Sequence, residues 1–542
     1  MIRLHRRELL AAGTFGLGAL AAPGTAQILA ARGFTHNVAS GEPGHYKAML
    51  WTRYVPAAGD SARLEYQVSE TLDFARTASG GTVMAETARD WCVKPVAENL
   101  SPGTTYYYRF VDAGGRFSPV GRTRTLPNRL NGQVERFTLG IFSCANLPFG
   151  WFNAYAHAAQ RDDIDLMLHL GDYLYEYERG RYPSAGAAVA GRVIEPAGEA
   201  VALADYRLRY ASYRADPDLQ RLHQLFPMVV MPDDHETAND AWTGGAENHQ
   251  PGEGTWDLRK RAAMQANREW LPVSDDPWKV YRIGDLLHLF RLESRLTARS
   301  QPLDLGAALA GSRDPAAALA AFRDGPWQER ARTLLGAEQE AWLSEKLRQS
   351  AADGVKWQVL GQQVIMGTIQ SSPQVAQWVG ADAGEEVRRR SAIALAAARA
   401  GLPFNFDQWD GYPAARERLL KSALDADANL IALSGDSHNA WGFDLDLAGT
   451  PAGVEFAGHS ITSPGYEAYL PRVDPRDLAG AIVAANRQLK WADTHRRGYL
   501  TLELTPERAT GEWLFLDTVR QRSTRIADRH RMSVARGARR LS

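Results

Sequence analysis

The sequence predicts a layered α/β domain with flanking helices, preceded by an all-β sandwich. Three observations carry this. Residues 34–126 alternate apolar and polar positions in short aromatic runs broken by Gly, Pro and Asp, the period of half-buried antiparallel strands. From Phe137 onward, apolar β-type runs alternate with helical stretches, the pattern of βαβ layering. Four of those runs (137–142, 164–170, 226–231 and 430–433) stop at polar clusters, and a fifth, 357–360, stops at Gly361-Gln362-Gln363. In an open α/β sheet ligands gather beyond the carboxyl ends of the strands, so these clusters are the candidate site.

The chain starts with a basic segment, Met1 to Arg7, followed by an Ala/Gly-rich apolar stretch to Ala22 that is too short to cross a bilayer. Residues 1–31 therefore read as an export signal, with cleavage expected between Ala22 and Ala31. Arg6-Arg7 ahead of Glu8-Leu9-Leu10 points to the twin-arginine translocase as partner during export, and to a periplasmic or secreted bacterial protein. An ordinary secretory signal that happens to hold two arginines is the alternative. No later stretch approaches ~18 uninterrupted apolar residues, so no integral membrane segment is expected in the mature protein.

Residues 32–127 form the expected sandwich, with strands around Leu50-Trp51, Tyr66-Gln67 and Tyr107-Tyr108. Leu100-Ser101-Pro102-Gly103-Thr104-Thr105-Tyr106 resembles the tyrosine-corner approach of fibronectin type III-like modules. A linker, 127–133, leads to the large domain, 134–519, in which 151–161, 307–321 and 338–350 read as helical. The Arg-rich tail, 520–542, is expected as a solvated helix or frayed end. At 542 residues the chain exceeds one ordinary core. With 62 basic against 63 acidic side chains there is no global field to recruit nucleic acid, and no nucleic-acid partner is expected. The two cysteines, Cys92 and Cys144, fall in different modules and are expected not to pair.

The clusters carry the chemistry. In Gly171-Asp172-Tyr173-Leu174-Tyr175, an Asp leaving a strand with a Tyr three positions on can aim both oxygens at one centre; the carboxylate can bridge two cations, and a phenolate favours a hard one such as Fe(III). Asp233-Asp234-His235-Glu236 crowds three carboxylates beside a histidine, a repulsion that a cation relieves. Asp234 reads as ligand, and His235 as donor to the substrate phosphate or leaving group. In Gly435-Asp436-Ser437-His438 the i, i+2 spacing lets Asp436 and His438 address neighbouring ions. Cys144 stands where a first ligand would be placed, and a thiolate there would bind iron. Asn146, Arg295 and Asn439 are polar residues near strand ends within reach of a phosphate. An Asp turn, a helix cap or a buried cysteine explains each cluster singly; together they read as a metal-dependent phosphoesterase site.

The chain resembles PhoD-type alkaline phosphatases, within the wider metallophosphoesterase group that includes purple acid phosphatases. The matching text is Phe34 to Pro43, Leu50-Trp51-Thr52-Arg53, Ser143-Cys144, His169 to Glu176, Asp233-Asp234-His235-Glu236, Asp407 to Pro413, Gly435-Asp436-Ser437-His438 and Glu455-Phe456. The resemblance implies a metallophosphoesterase β-sheet core and an Fe(3+) site combined with Ca(2+). It implies that Cys144, Asp172, Tyr175 and His438 hold iron, that Asp172 also reaches calcium, and that Asp234 and Asp436 complete the oxygen-rich side. The expected activity is an exported alkaline phosphatase hydrolysing phosphate monoesters, and diesters, by metal-activated hydroxide attack, with Asp172, His235, Arg295 and Asn439 as the catalytic set. The substrate is a small phosphoester, a phospholipid or a teichoic-type polymer. A phospholipase D-like phosphodiesterase and a non-catalytic exported binding protein are the rival readings.

Overall fold

A computed structural model describes residues 25–374, 378–379 and 385–542. The twin-arginine pair and most of the export signal lie outside the described residues; within 25–31, Thr25–Ala30 is a short helix whose Ile28 is buried.

The N-terminal module is the expected sandwich. One layer holds β1 (Gly33–Gly41), β2 (Ala48–Val55), β5 (Cys92–Val93) and β6 (Val96–Ala97). The other is a four-stranded sheet of β3 (Ser61–Ser69), β4 (Thr77–Glu86), β7 (Thr105–Asp112) and β8 (Gly121–Arg124), in the order β4-β3-β7-β8. Val38, Leu50, Leu64, Val68, Tyr108 and Phe110 fill the space between. The tyrosine corner is present: Ser101 N–H donates to Tyr106 Oη at 2.8 Å. The module is not a separate bead. β1 runs parallel to β11 (Pro227–Val230), with Ser40 opposite Pro227 and Gly41 opposite Met228. Gly41 is required there, since a Cβ would lie 2.4 Å from Pro272 O and 2.8 Å from Met228 O.

The large domain distributes its strands over two sheets, not over one open sheet. In the first, β9 (Phe137–Phe142), β10 (Leu166–His169) and β11 are parallel, and β19 (Gly498–Leu504), β20 (Arg508–Leu516) and β21 (Ile526–Ala535) extend it antiparallel. The second has seven strands: β12 (Lys279–Ile283), β13 (Leu287–Arg291), β14 (Trp357–Gly361), β15 (Leu430–Ser434), β16 (Ala440–Leu447), β17 (Thr450–Ala457) and β18 (Leu489–Asp493), in the order β12-β13-β14-β15-β17-β16-β18. Leu139, Ile141, Leu168, Val229, Leu289, Val359 and Ile431 pack between the sheets. Helices Asn153–Ala158, Leu203–Arg214, Pro217–Leu225 and Trp256–Trp270 cover the outer face of the first sheet, and Gly336–Ala352, Pro413–Asp425 and Pro475–Ala485 that of the second. Strands buried on both faces have no reason to alternate, which is why β9 is apolar apart from Thr138 and buried at every position.

Two expectations are corrected. The Ala-rich stretch 307–321 is two helices, Leu305–Leu309 and Pro315–Asp324. Pro315 cannot continue a helix and Asp314 caps the second one, accepting from Ala317 N–H. The Arg-rich tail is neither helix nor frayed end, because β21 pairs along β20 from Arg508↔Ala535 to Leu516↔Ile526. Its arginines are edge-strand charges, and Arg529 and Arg531 both reach Glu512. Both cysteines are free and buried, as expected. Among the described residues no helix is long and apolar enough to cross a membrane.

Candidate metal centre

The polar clusters converge at one rim, where the carboxyl ends of β9, β10, β11 and β15 meet. Two glycines allow the approach. A Cβ on Gly171 would lie 2.3 Å from Asp233 Cβ, and one on Gly435 would lie 2.6 Å from Ser143 Cβ. The first contact brings the loops after β10 and β11 together; the second brings β15 of one sheet against β9 of the other. Cys144, Asp172, Asp436 and His438 take φ values of 60°, 53°, 59° and 61°. A left-handed backbone at a residue with a side chain costs about 1–3 kcal/mol and persists only where the surroundings over-determine it. Here it turns four side chains off their strands into a common basin.

The donors fall into three overlapping groups, each with ligand atoms within 4.8 Å of one another: Cys144, Asp172 and His438; Asp172, Asp234 and His235; Asp233, Asp234 and Asp436. Asp172 joins the first two and Asp234 the last two, so the basin is continuous. Tyr175 belongs to the sulfur-containing end. Its hydroxyl donates to Asp172 Oδ2 at 2.9 Å, lies 3.2 Å from His438 Nε2, and accepts from Ser463 Oγ at 2.8 Å. His438 Nδ1 sits 2.9 Å from Pro464 O, which leaves Nε2 for the basin. Burial pushes the His438 imidazole down to about 3, the neutral form that binds metals.

The carboxylates are under electrostatic load. Burial, reinforced by Asp234 and Asp233, pushes Asp172 well above the carboxylate range, and burial lifts Asp436 to about 7 although Arg295 opposes it. Burial and then the Asp172 charge raise the Cys144 thiol and the Tyr175 phenol. Asp234 goes the other way: burial is outweighed by Arg295, His235 and the Asp240 N–H at 2.7 Å, and its carboxyl lies below the usual range. Asp172 Oδ1 and Asp233 Oδ2 are buried without a hydrogen-bond partner. Orphaned carboxylate oxygens beside a thiol, a phenol and a neutral imidazole fit cations, which would stabilise every ionised form at once.

The remaining sequence candidates take particular places. Arg295, with a side chain 0% exposed, is the cation of the acidic end. Its Nε bonds Asp233, its Nη1 reaches both oxygens of Asp407 at 2.9 and 2.7 Å, and its Nη2 donates to Asp436 at 3.0 Å. Those donors face carboxylates rather than open solvent. Asn439 braces its own loop, donating to Ser437 O and accepting from Tyr466 N–H. Asn146 Oδ1 is buried and unpartnered. His235 is 7% exposed, with Nδ1 2.7 Å from Glu176 Oε2.

Sequence reasoning missed three contributors. Asp233 is a donor of the third group, not just a neighbour of Asp234. Asp407 holds Arg295 and Arg299 together. Glu236 accepts from Tyr173 N–H at 2.6 Å and Asp233 N–H at 2.8 Å, pinning the β10 and β11 loops. The signal for Glu236 was its place in an acidic run at a strand end; nothing local distinguishes a ligand from a loop clamp there.

Comparison with known proteins agrees with this geometry. The profile of the PhoD-like phosphatase family matches residues 139–513, and that of the PhoD-like phosphatase N-terminal domain matches residues 19–127. The chain is 31% identical over 518 residues to alkaline phosphatase D of Bacillus subtilis (strain 168), covering 92% of this chain and 80% of that protein. A solved structure of PhoD matches with a TM-score of 0.76 at 27% identity, covering 96% of this chain and 93% of the other. A purple acid phosphatase from yellow lupin (Lupinus luteus) seeds shares the fold alone, with a TM-score of 0.50 at 12% identity over 92% of this chain and 74% of that one. With the N-terminal and catalytic profiles both matched and a curated relative aligned over most of its length, the chain belongs to the PhoD-like phosphatase family.

Proposed function

We propose that this phosphoester hydrolase works as an exported alkaline phosphatase on phosphate monoesters, with diesters as a second substrate class, at a centre combining Fe(III) with Ca2+. The observation that carries the reading is the chain of overlapping donor groups, in which Asp172 links the sulfur-bearing group to that of Asp234 and His235, and Asp234 links the latter to the oxygen-only group it forms with Asp233 and Asp436. Cys144, Asp172, Tyr175 and His438 would hold the iron; Asp172, Asp234 and Asp436 would hold the calcium. Thiolate and imidazole favour a transition metal, whereas carboxylates suit a hard cation.

When bound, such ions supply Lewis acidity toward the phosphoryl oxygens and a lowered pKa for the attacking water. The chain's own groups do the rest. The left-handed turns at Cys144, Asp172, Asp436 and His438 fix the donors before substrate arrives. Arg295 offsets the charge of Asp233, Asp407 and Asp436 and keeps those carboxylates apart. His235, which borders the basin beside Asp172 and Asp234, donates a proton to the leaving-group oxygen. Asn439 holds the loop that carries Asp436 and His438. Export through the twin-arginine translocase, which carries folded proteins, suits a metal centre loaded before transit.

The test is elemental analysis of protein purified without added metal, beside p-nitrophenyl phosphate and bis-p-nitrophenyl phosphate assays at alkaline pH before and after chelation. Iron and calcium near stoichiometry, with chelator-sensitive monoester turnover, supports the proposal. Turnover of the diester alone turns it to a phosphodiesterase, and bound metals with no turnover of either ester overturn it.

A further inference from the structure

Glu176 is fully buried, and both of its carboxylate oxygens are engaged. Oε2 lies 2.7 Å from His235 Nδ1, while Oε1 accepts from Asn239 N–H and from Asn248 Nδ2, each at 2.8 Å. The Asn248 amide also reaches Glu199 Oε1 at 3.1 Å, and Arg259 Nη2 donates to that same oxygen at 2.7 Å. The carboxylate is thus clamped from behind, by a hydrogen-bonded chain that passes through the part-exposed Glu199 and ends on the helix Trp256–Trp270. In front of it the His235 ring is confined by aromatic rings, with its centroid 4.2 Å from that of Tyr175 and 5.4 Å from that of Tyr177.

Geometry then sorts the two ring nitrogens. Nδ1 faces Glu176, which has no exposed surface. Nε2 has no hydrogen-bond partner among the described residues, and His235 borders the basin, with a ring nitrogen within 4.8 Å of the carboxylate oxygens of Asp172 and Asp234. A buried carboxylate on one nitrogen of an imidazole fixes the tautomer and the ring rotation, and so decides what the other nitrogen can do. The arrangement also ties two loops together. The stretch after β10 that presents Asp172 and Tyr175 supplies Glu176, and the stretch after β11 that presents Asp234 supplies His235.

We infer that Glu176 is the positioning residue for His235: it accepts Nδ1–H of the doubly protonated ring, and thereby aims Nε2–H at the leaving-group oxygen of a bound phosphoester. As the P–O bond breaks, its electron pair leaves with that oxygen, which takes the Nε2 proton. The ring is left neutral with Nδ1–H still on Glu176, and water returns the proton in the next cycle. The inference rests on the phosphoesterase reading above and adds to it the element that orients the acid.

The experiment is steady-state kinetics of the metal-loaded full chain on aryl phosphates whose leaving groups span dinitrophenol to phenol, for wild type, Glu176→Gln, His235→Ala and the double variant, with metal content measured for each. Glu176→Gln is expected to lower kcat for phenyl phosphate about 10–100-fold at unchanged metal content, the usual effect of removing the partner that orients an active-site histidine. The loss should shrink toward dinitrophenyl phosphate, which departs without a proton, and KM should move far less than kcat. In the His235→Ala background, Glu176→Gln should change nothing further, since a residue acting through another has no effect once that other is gone. If Glu176→Gln misfolds, Asn248→Ala, which removes one clamp, should show a smaller loss with the same leaving-group trend. A uniform loss across leaving groups, losses that multiply in the double variant, or a wild-type kcat overturns the role of Glu176 and leaves the phosphatase reading standing. A wild type inert on every phosphoester brings down that reading first, and the positioning role with it.

Discussion

Tyr175 Oη donates to Asp172 Oδ2 at 2.9 Å, a hydrogen bond between residues three apart on one loop, and that short contact places a phenol beside the carboxylate that two donor groups share. The phenol is raised by burial and by the neighbouring carboxylate, so it ionises only if a cation compensates it. Tyr175→Phe keeps the ring and removes the oxygen. We expect the purified wild type to show a visible absorption band from phenolate bound to ferric ion, and Tyr175→Phe to lose or shift that band. An identical spectrum in both proteins means that the tyrosine is not a ligand.

Asp172→Asn is expected to lower kcat by on the order of 10³ or more, because the shared carboxylate holds the electrostatic centre of the site. The fold should survive. Asp172 is buried with Oδ1 unpartnered and its carboxyl is raised by burial, so a neutral isostere relieves a load in metal-free protein. Metal-free Asp172→Asn should therefore melt no lower than metal-free wild type, and wild-type turnover by the variant excludes Asp172 from the chemistry.

How far the site could be read in advance follows from where each donor sits. Cys144, Asp172, Asp234, Asp436 and His438 each come within a few residues of a largely apolar β-run, and such runs are conspicuous because strands buried on both faces do not alternate. The same property hid the division into two sheets, since β11 and β15 look alike in sequence while lying in different layers. The β1 to β11 pairing was illegible for another reason: a two-residue parallel contact leaves no pattern beyond Gly41. Arg295 shows the remaining limit. Its bond to Asp407 joins positions 112 residues apart, and only the assembled rim makes it a counter-cation. Charge concealed β21, where arginines on an exposed edge mask a strand that pairs along nearly its whole length.

Arg295 is also where stability is concentrated. Its side chain is fully buried among Asp233, Asp407 and Asp436, and truncation leaves Asp233 and Asp436 without a partner and Asp407 with Arg299 alone. Breaking a buried network from one side costs roughly 3–5 kcal/mol. Arg295→Met should lower the unfolding free energy of metal-free protein by that margin, read as a lower denaturant midpoint with little change in slope. Added Ca2+ should recover more of the midpoint in Arg295→Met than in wild type, because the cation then replaces the lost guanidinium charge. A midpoint unchanged by the substitution means that the carboxylates are neutral without it.

The raised acids give the metal-free protein a definite pH response. Burial lifts Glu236 and Asp240 to about 8 and Asp436 to about 7, all well above their values in an unfolded chain. A carboxyl whose folded pKa is raised binds more protons in the native state than in the unfolded one, so its stabilising contribution is complete below the unfolded pKa and is lost as pH climbs through the folded one. The histidines that burial holds neutral act with the opposite sign up to about pH 6.5, His438 among them, so the loss of Tm in metal-free protein should show between about pH 6.5 and pH 8. Cations in the basin favour the ionised forms and depress these pKa values, so loaded protein should hold its Tm across the same window. The gap between loaded and metal-free melting temperatures should widen with pH, which thermal scans at constant ionic strength measure directly. A metal-free protein whose Tm rises from about pH 6.5 to pH 8 would show that the buried acids titrate near their ordinary values, and that the basin is wetter and less strained than its geometry implies.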